Sequence, residues 1–183
     1  MPDDKKLLIL DLDETLIYSR MHTLAGTPHF QAGPYFVYKR TQLDYFLATC
    51  LEWFQVGVWT SASADYAAEV IRELFPEPER LAFVWTEQRC TVVFDPELGE
   101  YCARKNLKKV KNRGYALDSV IVVDDSVEKW RQSYGNLVLA QPFLGAEDDD
   151  ELTLLLPYLY FLREQPSIRA IEKRGWRQMV NQI

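Results

Sequence analysis

The chain has 183 residues, 48% apolar and 26% charged, the proportions of a folded globular protein with a real core. Its 21 basic and 27 acidic side chains leave a formal charge of −6. That balance argues against a general nucleic-acid or anionic-membrane binder, which would present a basic face. Three cysteines, Cys50, Cys90 and Cys102, are odd in number and lack CxxC spacing. They suggest neither a disulfide framework nor a zinc site, and free thiols in a reducing compartment are the expectation.

Short apolar runs alternate with helical patterns along the chain. Leu7–Leu10, Val56–Trp59, Ala82–Trp85, Val120–Val123 and Leu137–Ala140 read as strands. Most are apolar at successive positions, as in strands covered on both faces. Helices are predicted at Leu43–Trp53, Ala64–Phe75, Val127–Tyr134 and Glu151–Arg163, with Ser126 capping the third. The fold class is therefore α/β, a mostly parallel central sheet flanked by helices. Asp148-Asp149-Asp150-Glu151 suits the N-terminal end of the last helix, where the dipole favours acids.

Two stretches break the alternation. Tyr18 to Lys39, with Gly26, Pro28, Gly33 and Pro34, reads as a loop and short strands inserted after the first strand. Thr91 to Cys102, with the turn Asp95-Pro96-Glu97-Leu98-Gly99, reads as a hairpin. Such insertions commonly carry substrate contacts. His22 and His29 fall in the first of them without ligand-like spacing. Among the aromatics, Tyr35, Phe36, Tyr38, Trp59 and Trp85 are expected in the core, with Tyr35 or Phe36 the ones placed to face a peptide.

In open parallel sheets, ligands bind beyond the carboxyl ends of the strands. Those ends carry Asp11 and Asp13 after the first strand, Thr60 and Ser61 after the second, and Asp124 and Asp125 after the fourth. A basic segment containing Lys105 precedes that fourth strand. Carboxylates, hydroxyls and an ammonium on one sheet edge suit phosphoryl transfer. A carboxylate can attack phosphorus and form an aspartyl-phosphate, which divides one hard hydrolysis into two easier steps. Carboxylates alone would repel the phosphate, so magnesium is the expected cofactor, with Asp11 and Asp125 as its carboxylates. Asp13 is placed to protonate the leaving alkoxide and then to activate water. Thr60 and Lys105 are placed on the non-bridging oxygens.

These residues resemble the haloacid-dehalogenase (HAD) superfamily, which has DxDxT after strand one, a Ser/Thr after strand two, a Lys, and late acids. More narrowly, Asp11-Leu12-Asp13-Glu14-Thr15-Leu16 matches the DLDETL of the branch holding the small RNA polymerase II C-terminal-domain phosphatases and NLI-interacting-factor-like proteins. Lys39-Arg40 with Asp44-Tyr45-Phe46-Leu47, Trp59-Thr60-Ser61-Ala62-Ser63 with Tyr66-Ala67, Lys105-Asn106-Leu107, Val123-Asp124-Asp125-Ser126 and Glu151 to Leu159 resemble its further motifs. Thr41 and Val127 stand where that branch has proline, Ala62 where it has serine, and Asp125 where it has asparagine.

The resemblance covers residues 7–163 of a single expected domain, 1–183, leaving 164–183 as a C-terminal extension. It implies a Rossmann-like HAD fold with a short insertion after strand one and a β-hairpin insertion instead of a large cap domain. It implies Asp11 as nucleophile and metal ligand, and Asp13 as acid/base and ligand through its backbone carbonyl. Thr60, Ser61 and Lys105 would bind phosphate, Asp125 would complete the metal site, and Asp124 would support it. The KDL-like match selects Lys105 over Lys108.

The expected activity is magnesium-dependent hydrolysis of phosphoserine or phosphothreonine in a protein or peptide. Alternatives are a small-metabolite or phosphotyrosine phosphatase, or a catalytically silent import-receptor-like binding module. Thr60 follows Asp11 by only 49 residues, which favours an open site over one under a separate cap. Neither a nucleic-acid nor a membrane partner is expected. The charged start Met1–Lys6 does not read as a signal peptide, and Leu152–Leu162 is too short to cross a bilayer, so a cytoplasmic location is expected.

Overall fold

The computed structural model describes residues 5–96 and 99–180. Residues 1–4, the Glu97-Leu98 part of the expected hairpin turn, and the end of the C-terminal extension at 181–183 lie outside them. Five parallel strands form the central sheet: β1 (Leu7–Leu10), β5 (Gln55–Trp59), β6 (Phe83–Trp85), β9 (Val120–Asp124) and β10 (Leu137–Leu139). Their spatial order is β10-β9-β1-β5-β6, so β1 is central, between β5 and β9.

Each strand divides its side chains between two packed faces, which explains the unbroken apolar runs. Leu8, Leu10, Val56, Val58, Ile121 and Val123 pack against helices α1 (Leu43–Trp53), α2 (Ala64–Leu74) and α4 (Glu151–Arg163). Leu7, Ile9, Trp59, Phe83, Trp85 and Val122 pack on the other face with Leu107, Val110 and Trp130. There the short helix α3 (Lys108–Lys111) and the segment Glu128–Asn136 cover the sheet.

The expected insertion is a three-stranded antiparallel sheet of β2 (Ile17–Arg20), β3 (Phe30–Ala32) and β4 (Tyr35–Lys39), with β4 in the middle. The expected hairpin pairs β7 (Thr91–Asp95) with β8 (Glu100–Arg104). A last helix, α5 (Trp176–Val180), docks on the main core through Trp176, whose indole donates to the Leu139 carbonyl at 2.9 Å. All three cysteines are free thiols; only Cys50 is buried.

Two expectations are corrected. The helix predicted over Val127–Tyr134 is instead a run of 3₁₀ turns, Glu128–Asn136, broken by non-helical backbone at Trp130 (φ −117°, ψ 15°) and Ser133. Tertiary contacts override the helical pattern there. The Trp130 indole turns inward to Asp124, and the Lys129 carbonyl accepts the Lys105 amide at 2.8 Å. Ser126 supplies no side-chain cap; its amide donates to Asp124 Oδ1 at 2.9 Å. The acidic run before α4 does more than sit near a helix dipole. Asp149 receives the buried Arg40 guanidinium on both carboxylate oxygens, and the buried Glu151 pairs with Arg177.

Close packing at the sheet edge makes one test sharp. Gly57 in β5 faces Phe83 in β6, and a Cβ at that position would lie 2.6 Å from the Phe83 ring. That ring is held by stacking on Trp85, 4.3 Å between centroids. Gly57→Ala is expected to lower stability by about 1–3 kcal/mol through overpacking, measured as a shift in urea midpoint.

Candidate active site

The sheet order decides which residues meet. In register, Leu10 of β1 lies beside Val58 of β5 and Val123 of β9. The residues that follow therefore emerge side by side: Asp11, then Thr60, then Asp124 and Asp125. The Asp11 amide donates to the Val123 carbonyl at 3.0 Å, and the Thr60 amide to Trp85 at 2.9 Å. Beyond Asp11 the chain folds tightly back on itself. Amides of Thr15, Leu16 and Ile17 all turn to the Leu12 carbonyl, and Glu14 takes a left-handed conformation (φ 60°). For a non-glycine residue that conformation costs about 1 kcal/mol or more and is retained only where surroundings impose it.

Asp11, Thr60, Lys105 and Asp124 are all buried, at 1–2% exposure or less. The Lys105 ammonium lies 2.9 Å from Asp11 Oδ1 and 2.6 Å from Asp124 Oδ2. Lys108 is exposed on α3, so Lys105 is the lysine of this cluster. The Trp130 indole also donates to Asp124 Oδ2, at 2.8 Å. Asp125 exchanges two hydrogen bonds with Thr15: its amide donates to the hydroxyl, and the hydroxyl donates to its Oδ1. Thr15 is anchored in turn by Arg40, whose guanidinium donates to its carbonyl at 2.9 Å.

Asp13 points elsewhere. Its Oδ1 accepts from the Tyr66 hydroxyl at 2.6 Å and from Ser19 at 3.2 Å. Tyr66 meets Tyr35 edge-on, 5.5 Å between centroids; Tyr35, expected in the core, is instead exposed at the first position of β4 and stands beside this part of the site. Trp59, Trp85 and Tyr38 are buried in the core. The Thr60 hydroxyl accepts the Ala62 amide at 3.0 Å, a local turn rather than a cap on α2. Ser61 follows it, half-buried, with its hydroxyl 3.9 Å from the Cys90 thiol.

Three residues of this arrangement were given no role from sequence. Lys129 reaches Asp11 Oδ2 at 3.2 Å, a position hidden by the helix expected around it. Tyr66 appeared only as part of a matched motif, and Ser19 only inside a loop. A lysine one turn past an acidic pair was the available signal for the first.

Crowded carboxylates force a division of charge. Burial alone would raise the Asp11 pKa, but the Lys105 and Lys129 ammoniums hold it below the usual carboxylate value. Asp124 is pushed up to about 6, first by burial and then by the Asp11 charge. Burial and Asp11 also raise Asp125. Asp13 is raised by burial, with Tyr66 pulling the other way and Asp11 adding to the rise. Asp11 thus stays ionised while Asp13 retains its proton to higher pH.

Asp11, Asp124 and Asp125 each offer an oxygen within 4.8 Å of the others. Asp11 Oδ1 is buried and, despite its ion pair with Lys105, accepts no aligned hydrogen bond from the described residues. An all-oxygen donor set of three clustered carboxylates fits a hard divalent cation such as magnesium. A cavity of about 650 Å³ lined by Leu24, Tyr38, Arg40, Tyr45 and Phe143 contains none of these acids.

Comparison with known proteins bears on the family and the fold. The family model described as "NLI interacting factor-like phosphatase" matches residues 6–169. "CTD nuclear envelope phosphatase 1" of Xenopus laevis is 31% identical over 189 residues, covering 95% of this chain and 74% of that protein. "Nuclear envelope morphology protein 1" of Saccharomyces cerevisiae is 27% identical over 187 residues, covering 91% and 41%. The fission yeast RNA polymerase II CTD phosphatase Fcp1, solved with beryllium fluoride, superposes with a TM-score of 0.57 at 15% identity. It covers 97% of this chain, which spans only 49% of that one, and the likeness is one of fold.

The cytoplasmic expectation is corrected by these relatives, two of which are named for the nuclear envelope. It rested on the lack of a signal peptide or long apolar run, which does not discriminate between compartments. Among the described residues no helix is long and apolar enough to cross a membrane. The HAD fold, the carboxylate-rich sheet edge and the family match lead to one conclusion: the chain belongs to the NLI interacting factor-like phosphatase family, within the haloacid-dehalogenase superfamily.

Proposed function

We propose that this phosphatase hydrolyses phosphoserine or phosphothreonine in proteins, through an aspartyl-phosphate on Asp11, with magnesium as its cofactor. The observation that carries the proposal is the buried Asp11 carboxylate held between the Lys105 and Lys129 ammoniums, with Asp13 two residues on and oriented through Oδ1 by Tyr66 and Ser19. Asp11, Asp125 and the Asp13 backbone carbonyl would hold the metal, with Asp124 beside them. When bound, it would neutralise the carboxylates and polarise a phosphoryl oxygen.

In the first step an Asp11 oxygen bonds to phosphorus while the bond from phosphorus to the substrate oxygen breaks. The Asp13 proton passes to that leaving alkoxide. In the second step Asp13, now a carboxylate, takes a proton from water as its oxygen bonds to phosphorus, and the Asp11–phosphorus bond breaks. Tyr66 and Ser19 both donate to Asp13 Oδ1, leaving Oδ2 for these proton transfers. Lys105, Thr60 and Ser61 offer positive charge and donors to phosphoryl oxygens.

A protein substrate is supported by two features. The insertions are a three-stranded sheet and a hairpin rather than a separate cap, which leaves room for a polypeptide. The relatives are named as phosphatases of a C-terminal domain or of the nuclear envelope, which directs the substrate search to phosphoproteins of that compartment.

Purified protein is expected to hydrolyse p-nitrophenyl phosphate with magnesium, to stop with EDTA, and to lose turnover in Asp11→Asn. Turnover that survives either treatment contradicts the mechanism. Asp13→Asn should lower kcat/KM for a phosphoserine peptide more than for the aryl phosphate, because kcat/KM reports the steps up to departure of the leaving group and nitrophenolate leaves without a proton while an alkoxide does not; equal losses in kcat/KM would remove Asp13 from acid catalysis. Thr15→Val deprives Asp125 of both its hydrogen bonds and should weaken magnesium binding about 10–100-fold by calorimetry.

A further inference from the structure

The geometry points to Lys129 as a second phosphate-binding cation, which covers Asp11 in the resting site and passes its ionic contact to a phosphoryl oxygen when substrate arrives. This inference rests on the reading of Asp11 as the residue that accepts phosphate.

Two lysines divide the Asp11 carboxylate, and they are not equivalent. Lys105 takes Oδ1 at 2.9 Å, its side chain is fully buried, and its second partner Asp124 lies 2.6 Å away. Lys129 takes Oδ2 at 3.2 Å, its side chain is 26% exposed, and that contact is its one ion pair among the described residues. Lys105 is therefore fixed from below by two carboxylates. Lys129 approaches from the solvent side, the side from which a substrate must come.

The backbone around Lys129 is tied down by hydrogen bonds, while its side chain is partly exposed. Its carbonyl accepts the Lys105 amide at 2.8 Å, and the preceding Glu128 carbonyl accepts from Arg104 at 2.6 Å. The next residue, Trp130, is 1% exposed and tied through its indole to Asp124. Trp130 also carries the break in the expected helix. Lys129 lies just before that break, and its side chain reaches across the sheet edge to Asp11 Oδ2 at 3.2 Å.

A phosphate dianion offers several charged oxygens, whereas Asp11 offers Lys129 one oxygen, shared in charge with Lys105. When phosphate enters, the Lys129–Asp11 ion pair breaks and a Lys129–phosphate pair forms. No atom is transferred in that exchange. It uncovers Oδ2 and keeps positive charge on the phosphoryl group. A lysine that served only to stabilise the fold would leave phosphate affinity unchanged.

The test compares wild type with Lys129→Met, Lys129→Gln and Lys129→Arg in magnesium-containing buffer. Readouts are inhibition of p-nitrophenyl phosphate hydrolysis by inorganic phosphate, calorimetric binding of inorganic phosphate, kcat and KM separately, and thermal unfolding. The neutral variants should weaken phosphate binding about tenfold or more and raise KM, while the Arg variant keeps most of the affinity. Unfolding temperatures should stay close to wild type, and Lys129→Gln replaces Lys129→Met if the latter does not fold. Phosphate affinity within about twofold of wild type in a folded neutral variant overturns the inference. Absent turnover in wild type, or turnover retained in Asp11→Asn, would instead strike the underlying reading, and the calorimetric comparison still decides the role of Lys129.

Discussion

The Lys105 ammonium, buried between Asp11 and Asp124, is the contact on which the site depends. Two parallel strands, β1 and β9, ending together bring carboxylates into a space too dry for all of them to be charged freely. Removing either partner of a buried ion pair costs about 3–5 kcal/mol, because the survivor is left charged and unpaired. Lys105 resolves the crowding unequally. With Lys129 it keeps Asp11 ionised, while Asp124, Asp125 and Asp13 shift towards their protonated forms. A cluster of similar side chains thereby acquires distinct chemical characters.

Aromatic packing holds this arrangement from beneath. Trp59 meets Trp85 edge-on at 4.7 Å and Trp130 at 5.6 Å, and Trp130 spends its indole N–H on Asp124. Lys105 lies 5.5 Å from the centre of the same Trp130 ring. One large residue thus fills the core, donates to an acid and faces a cation. On the other side of the sheet edge, Arg40 joins Asp149 to the Thr15 carbonyl, and the Thr15 hydroxyl holds Asp125. The acids are positioned by neighbours that are themselves fully engaged.

Much of this was legible in the sequence because strand ends dictate it. Apolar runs without alternation fixed Leu7–Leu10 as a strand covered on both faces, and the parallel order then placed Asp11, Thr60 and Asp124 together. What escaped depends on contacts between distant segments. The pattern at Val127–Tyr134 is helical in isolation, but Asp124 and Lys105 pull on Trp130 and Lys129 and break it. The run Asp148–Glu151 looks like a solvated helix start, yet Arg40 and Arg177 lie far along the chain and cannot be anticipated from spacing. Lys129 and Tyr66 were given no role for the same reason: their partners are set by tertiary structure.

The bond between Arg40 and Asp149 spans 109 residues, and that between Thr15 and Asp125 spans 110. Closing loops of this length comes late in folding, since their entropy must be spent before the contact returns anything. A chain that has folded only its first half therefore carries Asp11 without Lys105, Asp125 or the Arg40 brace. The acidic sheet edge is therefore assembled only when residues from both halves of the sequence have met.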